Sequence, residues 1–494
     1  MNTLFREVVR QHTQETAIIF GNQKLTYGEL DRLSDAIAQL ILESGHKPAD
    51  CPFVGLYSSR SLYTIPMMIG IWKAGFAYVP MDPKYSSERI GYILDDCKLR
   101  LILTDCNAPV ADYPQAQWLS IDADSMPCEI RGYGGTEVRG YENSPFAENR
   151  YAYAIYTSGT TGKPKGTPIT QAGLRNLIEA RKQLIPKEEN SVEMCISSIV
   201  FDLSVWEIFC PLMTGTAVYF ISEQEKNDPQ RIADLLEEQH ITTFNITPTH
   251  LSVIPYRQFP ELKYLVFAGE PCPEPLVRKW QQTCTVIDAY GPTEATVIAT
   301  ACILDAEGSV NNIGLPLQGV TCYVLDEQLR QVPQGEKGEL YIGGIQLTDG
   351  YLNKEELNRQ KFIVNPFTQS SRDSRKDSRC EVRGTRYENS SSDGADLAPR
   401  TSYLAPRKDD DRLYATGDLV CRKSDGLLYF MGRKDYQVKL RGYRIELADI
   451  ESTLLTHPDV RQCVVELRQT GDIQQLVAHV EIRGNENSRN EERE

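Results

Sequence analysis

From the N-terminus to about residue 300 the chain repeats one alternation, short β-rich apolar runs with helical periods between them, and this constrains its fold more than any other feature. Helical periods cover 30–42 and 86–96, and β-rich runs cover 51–57, 76–79 and 101–104. The rhythm resumes at 151, with strands expected over 152–156, 217–221, 242–246 and 264–267 and a helix over 229–240. Alternation of this kind suggests parallel α/β layers, and two such subdomains account for most of this part of the chain. From 311 to 344 the pattern changes to β-runs separated by glycine turns, 320–325 and 338–342, which predicts a smaller, mostly β unit. Beyond 412 a hairpin-like run at 427–431 leads into a βα pattern closing in an amphipathic helix over 446–455.

Two stretches break the rhythm. Residues 368–412 contain few large aliphatics and are rich in Ser, Arg and Asp, so burial cannot offset their ordering entropy. Residues 128–149 look alike, and both carry CE(I/V)RG followed by YENS; a third, looser copy, EIRGNENS, begins at Glu481. The irregular spacing excludes a solenoid and fits disordered sequence inserted at loop tips.

Composition removes several classes of function. With 53 Lys+Arg against 68 Asp+Glu the net charge is −15, and no basic cluster precedes residue 370, so a nucleic-acid partner is not expected. The polar start MNTLFREVVRQHTQE lacks the apolar core of a signal peptide, which points to the cytoplasm. The longest apolar stretch, 63–72, is about half the roughly 20 residues a membrane helix needs. None of the thirteen cysteines forms a C-x-x-C pair and the six histidines are scattered, so neither a zinc site nor a disulfide framework is indicated.

The strongest local signal is YTSGTTGKPKG at 156–166, which gathers glycines, hydroxyls and two lysines directly after an apolar strand. Backbone N–H groups and hydroxyls of such a loop can cradle a polyphosphate. It is not a Walker A loop, since Pro164 follows the Gly-Lys pair. By composition alone a surface turn remains as good a reading.

In order along the chain, LTYGEL at 25–30, WKAGFAYVPMD at 72–82, the loop at 156–166, FDLSVWEIF at 201–209, YGPTEAT at 290–296, GELYIGG at 338–344, YATGD at 414–418 and GRKDYQVKLRGYRIE at 432–446 resemble the core motifs of the adenylate-forming superfamily. They are most similar to the amino-acid adenylation domains of nonribosomal peptide synthetases. The resemblance covers roughly 4–482 outside the inserts. It implies an α/β fold class: a large N-terminal domain over 1–431, of two α/β subdomains plus a small β-barrel-like subdomain, then a hinge and a small mobile α+β domain over 432–494.

Carried over residue by residue, the resemblance implies that Thr157, Ser158, Gly159, Thr160, Thr161, Gly162 and Lys165 handle the β and γ phosphates of ATP. Tyr290 lies on the adenine face with Gly291 and Thr293 beside it, Asp288 accepts from the adenine amino group, and Glu294 holds Mg²⁺. Asp418 accepts both ribose hydroxyls, a task suited to a carboxylate, with Arg433 near it, Phe430 against the ribose and Lys439 among the catalytic residues. Asp202 receives the substrate α-ammonium; read without the family, the N-cap of a helix over 205–209 is a chemically reasonable alternative. The remaining pocket positions implied are Leu203, Trp206, Asn245, Val266, Ala268, Ala289, Val297 and Ile298. They suggest an uncharged side chain of medium to large size, with Asn245 able to bind a polar group.

The reaction implied is attack by an amino-acid carboxylate on the α-phosphorus of Mg·ATP, giving aminoacyl-AMP and pyrophosphate. Transfer to a phosphopantetheine thiol follows, on a peptidyl carrier protein expected to be separate. One family element, a Pro-x-x-x-x-Gly-Lys stretch carrying a catalytic lysine, has no counterpart after Glu446. The small domain is therefore expected to be truncated, at a cost in rate of roughly 10²-fold or more. The alternatives are a catalytically impaired fragment and an acyl-CoA synthetase, against which Asp202 argues.

Overall fold

The computed structural model describes residues 1–121, 149–158, 163–305, 308–367, 411–435, 437–440, 443–470 and 473–483. The inserts expected at 128–149 and 368–412 lie outside the described residues except at their edges. There Asn149 donates Nδ2 to the Pro52 carbonyl at 2.7 Å, and Arg412 opens the strand Arg412–Arg422, donating to the carbonyls of Thr348 and Asp349.

The α/β alternation folds as two sheets. The smaller has six strands in the order Gln117–Ser120, Leu101–Thr104, Phe53–Tyr57, Ala77–Met81, Tyr151–Thr157 and Lys165–Thr170. All neighbours are parallel except the last pair, an antiparallel hairpin that sets Thr157 opposite Lys165. The glycine-rich stretch thus lies between two antiparallel strands, whereas a Walker loop lies between a strand and a helix.

The larger sheet has fourteen strands. Its parallel part orders Thr16–Phe20, Ala217–Phe220, Val192–Cys195, Thr243–Ile246, Tyr264–Ala268 and Thr285–Tyr290. It continues antiparallel through Thr300–Ile303, Asn312–Pro316, Leu428–Arg433, Arg412–Arg422, Lys337–Gly344 and Val320–Leu325, which form the mostly β unit. Leu428–Arg433 runs across the division expected at 431/432, so the large sheet ends at Arg433.

One hydrophobic cluster joins the sheets: it holds Val54, Tyr78 and Ile155 of the smaller and Ile18, Val218, Val266 and Ala289 of the larger. Between them lie the helices Thr64–Lys73 and Leu203–Leu212, in which every residue is buried. A helix covered on all sides needs no polar face, which is why the apolar stretch at 63–72 forms one without spanning a membrane. Trp72 and Phe209 make the contact, ring centroids 4.3 Å apart, and Lys73 is neutralised by Asp31 and Asp35 at 2.6 and 2.7 Å.

After Arg433 come the hairpins Gln437–Leu440 with Tyr443–Glu446 and Val460–Thr470 with Ile473–Ile482, and the helix Leu447–Leu455. Among the described residues no helix is long and apolar enough to cross a membrane, and every described cysteine is a free thiol. Burial pushes the Cys210 thiol up to about 12, which keeps it protonated and unreactive.

Candidate functional site

The carboxyl ends of the parallel strands and the turn after Tyr290 enclose a cleft of about 590 Å³, open mouth included. Its walls bring together ten residues singled out from sequence: Asp202, Leu203, Ala268, Ala289, Gly291, Thr293, Val297, Ile298, Asp418 and Arg433. Trp206, Asn245 and Val266 are not on those walls; they are wholly buried in the adjoining core. Phe201, Gly269, Pro292, Thr416 and Gln437 complete the lining and were not foreseen.

Asp202 stands immediately before the helix Leu203–Leu212 and is buried, yet its side chain makes no capping bond. The N-cap reading therefore fails: backbone angles of −64° and −26° already belong to the helix, which turns the carboxylate away from the first amides. Instead, Thr293 donates its hydroxyl to Asp202 Oδ2 at 2.6 Å.

Thr293 and Glu294 sit in a single 3₁₀ turn, Thr293–Ala295, and the chain leaves it through left-handed backbone at Thr296 (φ 56°) and Val297 (φ 67°). β-branched residues avoid that region, so neighbours must hold them there. Gln346 does so, donating Nε2 to the carbonyls of Ala295 (3.1 Å) and Ile298 (2.7 Å), while Thr296 donates to the Gln346 carbonyl at 2.5 Å. The strained turn sets Glu294, wholly buried, against Lys165 at 3.4 Å.

Tyr351 completes this group. Lys165 Nζ donates to the Tyr351 hydroxyl at 3.3 Å, and that hydroxyl donates to Glu294 Oε1 at 2.5 Å. Across the hairpin from Lys165, Thr157 Oγ1 is buried with no hydrogen-bond partner among the described residues. An orphaned hydroxyl, a buried cation and a buried carboxylate around one loop make a donor set suited to phosphate and to an oxygen-seeking cation. Ser158 is half-buried at the loop's start, whereas Gly159, Thr160, Thr161 and Gly162 lie outside the described residues.

On the other side of the cleft, Tyr290 donates its hydroxyl to Asp418 Oδ2 at 2.5 Å, and Arg433 Nη1 donates to Asp418 Oδ1 at 2.5 Å. Both carboxylate oxygens are thus engaged, each retaining a second lone pair. Burial first, and Asp418 second, push the Tyr290 phenol well up, so it stays a donor. Arg433 also grips Asp435; burial opposes ionisation there, but the guanidinium prevails and holds that carboxyl below its usual range. Asp288 lies two residues before Tyr290 on the same face of the strand and is buried, and Phe430 packs against the cluster containing Tyr290. Lys439 lies on the strand Gln437–Leu440, and its side chain is outside the described residues.

The AMP-binding enzyme family matches residues 5–352. Bacitracin synthase 3 of Bacillus licheniformis is 36% identical over 472 residues, 95% of this chain but 7% of that protein. Tyrocidine synthase 1 of Brevibacillus parabrevis is 32% identical over 474 residues, 95% of this chain and 39% of that protein. The chain therefore spans well under half the length of these curated relatives. Among solved structures, a holo four-domain nonribosomal peptide synthetase bound to AMP and glycine superposes with a TM-score of 0.70 at 28% identity, covering 98% of this chain and 33% of that one. An o-succinylbenzoate CoA synthetase from Bacillus subtilis shares the fold, with a TM-score of 0.77 at 18% identity, over 98% of this chain and 89% of that one.

Proposed function

This chain belongs to the AMP-binding enzyme family, and we propose that it activates an amino acid with Mg·ATP to aminoacyl-AMP and pyrophosphate in nonribosomal peptide synthesis. The acyl group then passes to a phosphopantetheine thiol on a carrier protein: the sulfur bonds the acyl carbon as the acyl–phosphate bond breaks, and AMP leaves. The observation that carries this reading is Asp202, a buried carboxylate that lines the cleft together with the apolar Leu203, Ala268, Ala289, Val297 and Ile298. Such a group attracts the cationic end of a zwitterion, and a substrate without an amine gains nothing from it.

In the reaction a carboxylate oxygen of the amino acid forms a bond to the α-phosphorus as the bond to the β-phosphate oxygen breaks, with that electron pair leaving on pyrophosphate. No protein nucleophile is needed, so the chain contributes positioning and charge stabilisation. Asp202 would hold the ammonium, Tyr290, Asp418 and Arg433 the nucleoside, and Thr157 and Lys165 the phosphates. Glu294 would hold Mg²⁺, which when bound neutralises charge on the phosphates. One protein carboxylate is enough for this ion, which takes its other ligands from phosphate and water. On this reading the chain works in the cytoplasm, a compartment that suits its unpaired thiols.

The test pairs each amino acid with its deaminated acid and follows ATP–pyrophosphate exchange. Exchange that requires the amine supports the proposal. AMP formation from an amine-free acid, completed by coenzyme A, would replace it with acyl-CoA synthesis.

A further inference from the structure

Between the strand Phe53–Tyr57 and the helix Thr64–Lys73 the chain reads SSRSLY, three serines around one arginine. Asp105, just past the neighbouring parallel strand Leu101–Thr104, gathers this loop. Its carboxylate accepts from the hydroxyls of Ser58 (2.7 Å), Ser61 (2.5 Å) and Thr64 (3.2 Å) and from the Ser59 N–H (3.2 Å). The loop so held carries Arg60 in left-handed backbone, φ 67°, which a residue with a Cβ adopts at a cost. Strain of that kind persists only where the surroundings enforce it.

From this backbone the Arg60 side chain, buried, crosses to the carboxyl ends of two parallel strands of the larger sheet. Nε donates to the Ile221 carbonyl (2.9 Å), Nη2 to that of Cys195 (2.7 Å) and Nη1 to that of Ser197. The guanidinium lies 4.1 Å from the centroid of the Phe220 ring and 4.0 Å from the Glu223 carboxylate, which supplies the countercharge. A planar fork with donors in fixed directions can serve three carbonyls at once, whereas an ammonium is a point charge.

Ser197 links this clamp to the cleft. It lies in the irregular connection 196–202, between the strand Val192–Cys195 and the helix Leu203–Leu212. Its carbonyl goes to Arg60, while its N–H and hydroxyl both donate to Glu207 on that helix, at 2.9 Å each. The connection is therefore pinned from the smaller sheet on one side and from the helix on the other, and it ends in Phe201 and Asp202, both of which line the cleft.

Resting on the amino-acid activation proposed above, we infer that Arg60 is a positioning residue for that reaction: by fixing 196–202 it sets where the Asp202 carboxylate meets the substrate ammonium. Arg60 is not on the cleft's described walls, so its effect passes through the segment it holds. Losing it weakens the hold on the amino acid and spares the nucleotide side, which Tyr290, Asp418 and Arg433 build from other elements.

The experiment is ATP–pyrophosphate exchange by the whole chain, with the proteinogenic amino acid that supports the fastest exchange, for the wild type and Arg60→Gly. Glycine accepts left-handed backbone, so this change relieves the strain while it removes the guanidinium. It is expected to raise the KM for the amino acid about tenfold, with kcat within about twofold and the KM for ATP unchanged. A guanidinium that only held the sheets together would, on removal, lower the folded fraction and so kcat, leaving both KM values alone. If Arg60→Gly does not fold, Arg60→Lys, which keeps the charge without the fork, is expected to raise the same KM about threefold. An amino-acid KM that does not change in the folded variant, or that rises together with the KM for ATP, overturns the inference and leaves amino-acid activation standing. Wild-type protein that binds ATP yet shows no exchange with any amino acid overturns both.

Discussion

Thr293 donates its hydroxyl to Asp202 at 2.6 Å, and this bond joins the helix beginning at Leu203 to the turn carrying Glu294, across a separation of 91 residues. A carboxylate suited to an ammonium and a carboxylate suited to a metal ion are thereby placed on one rigid support. For a reaction without a protein nucleophile, such fixed placement is the main resource the chain has.

Tyr351 gives the first prediction, because it bridges Lys165 and Glu294 through one hydroxyl. Tyr351→Phe keeps the ring and removes both bonds. Exchange measured across a Mg²⁺ titration is expected to show a rate about tenfold lower and a higher half-saturating Mg²⁺, with the KM for the amino acid unchanged.

Gly291 has no room for a side chain. A Cβ there would lie 2.3 Å from the Val297 carbonyl oxygen, 2.7 Å from the Ala299 nitrogen and 2.8 Å from the Ile298 Cα, all backbone atoms of the segment that brings Val297 and Ile298 to the cleft's wall. Gly291→Ala is expected to cost about 2 kcal/mol in thermal unfolding and to raise the KM for the amino acid, since the wall must move.

Glu207 makes stability depend on pH. It is wholly buried on the helix Leu203–Leu212, and burial raises its carboxyl to about 7 even though Ser197 donates both N–H and hydroxyl to it. Since the folded value lies above the unfolded 4.5, its stabilising contribution is complete below 4.5 and is lost as pH rises through 7. The loss is on the order of 3 kcal/mol at most. Glu207→Gln, which retains partners for Ser197, is expected to melt at progressively higher temperature relative to the wild type between pH 5 and pH 8. A melting difference constant over that range would contradict the assignment.

Much of this was legible in the sequence, for reasons that differ by residue. The strand and helix rhythm shows because one-sided burial leaves a periodic signature, as in Pro229–Glu238, which buries Ile232, Ala233, Leu235 and Leu236. The helix Thr64–Lys73 gave no comparable sign, whereas Gln171–Leu184, which buries Leu174, Leu177 and Ile178 on one side, was not foreseen although it carries that sign. The first is buried all round and has no polar face to set its period. Asp202, Glu294 and Asp418 are singled out by the resemblance of FDLSVWEIF, YGPTEAT and YATGD to family motifs; composition alone marks no more than a turn or a cap there. Tyr351 and Gln346 were missed because their roles depend on partners from other elements: Lys165 and Glu294 for one, the turn at 295–298 for the other. A lone Tyr or Gln in a loop carries no local mark of that. The N-cap reading of Asp202 could be rejected only from its backbone angles and its bond to Thr293.

The most direct test of the central claim is ATP–pyrophosphate exchange over the proteinogenic amino acids, run with the wild type and with Asp202→Ala. The account predicts exchange with one or a few amino acids, lost by about 10²-fold or more in the variant, while ATP binding measured by calorimetry is unchanged. Exchange that persists in Asp202→Ala, or that proceeds equally with acids lacking an amine, would contradict it.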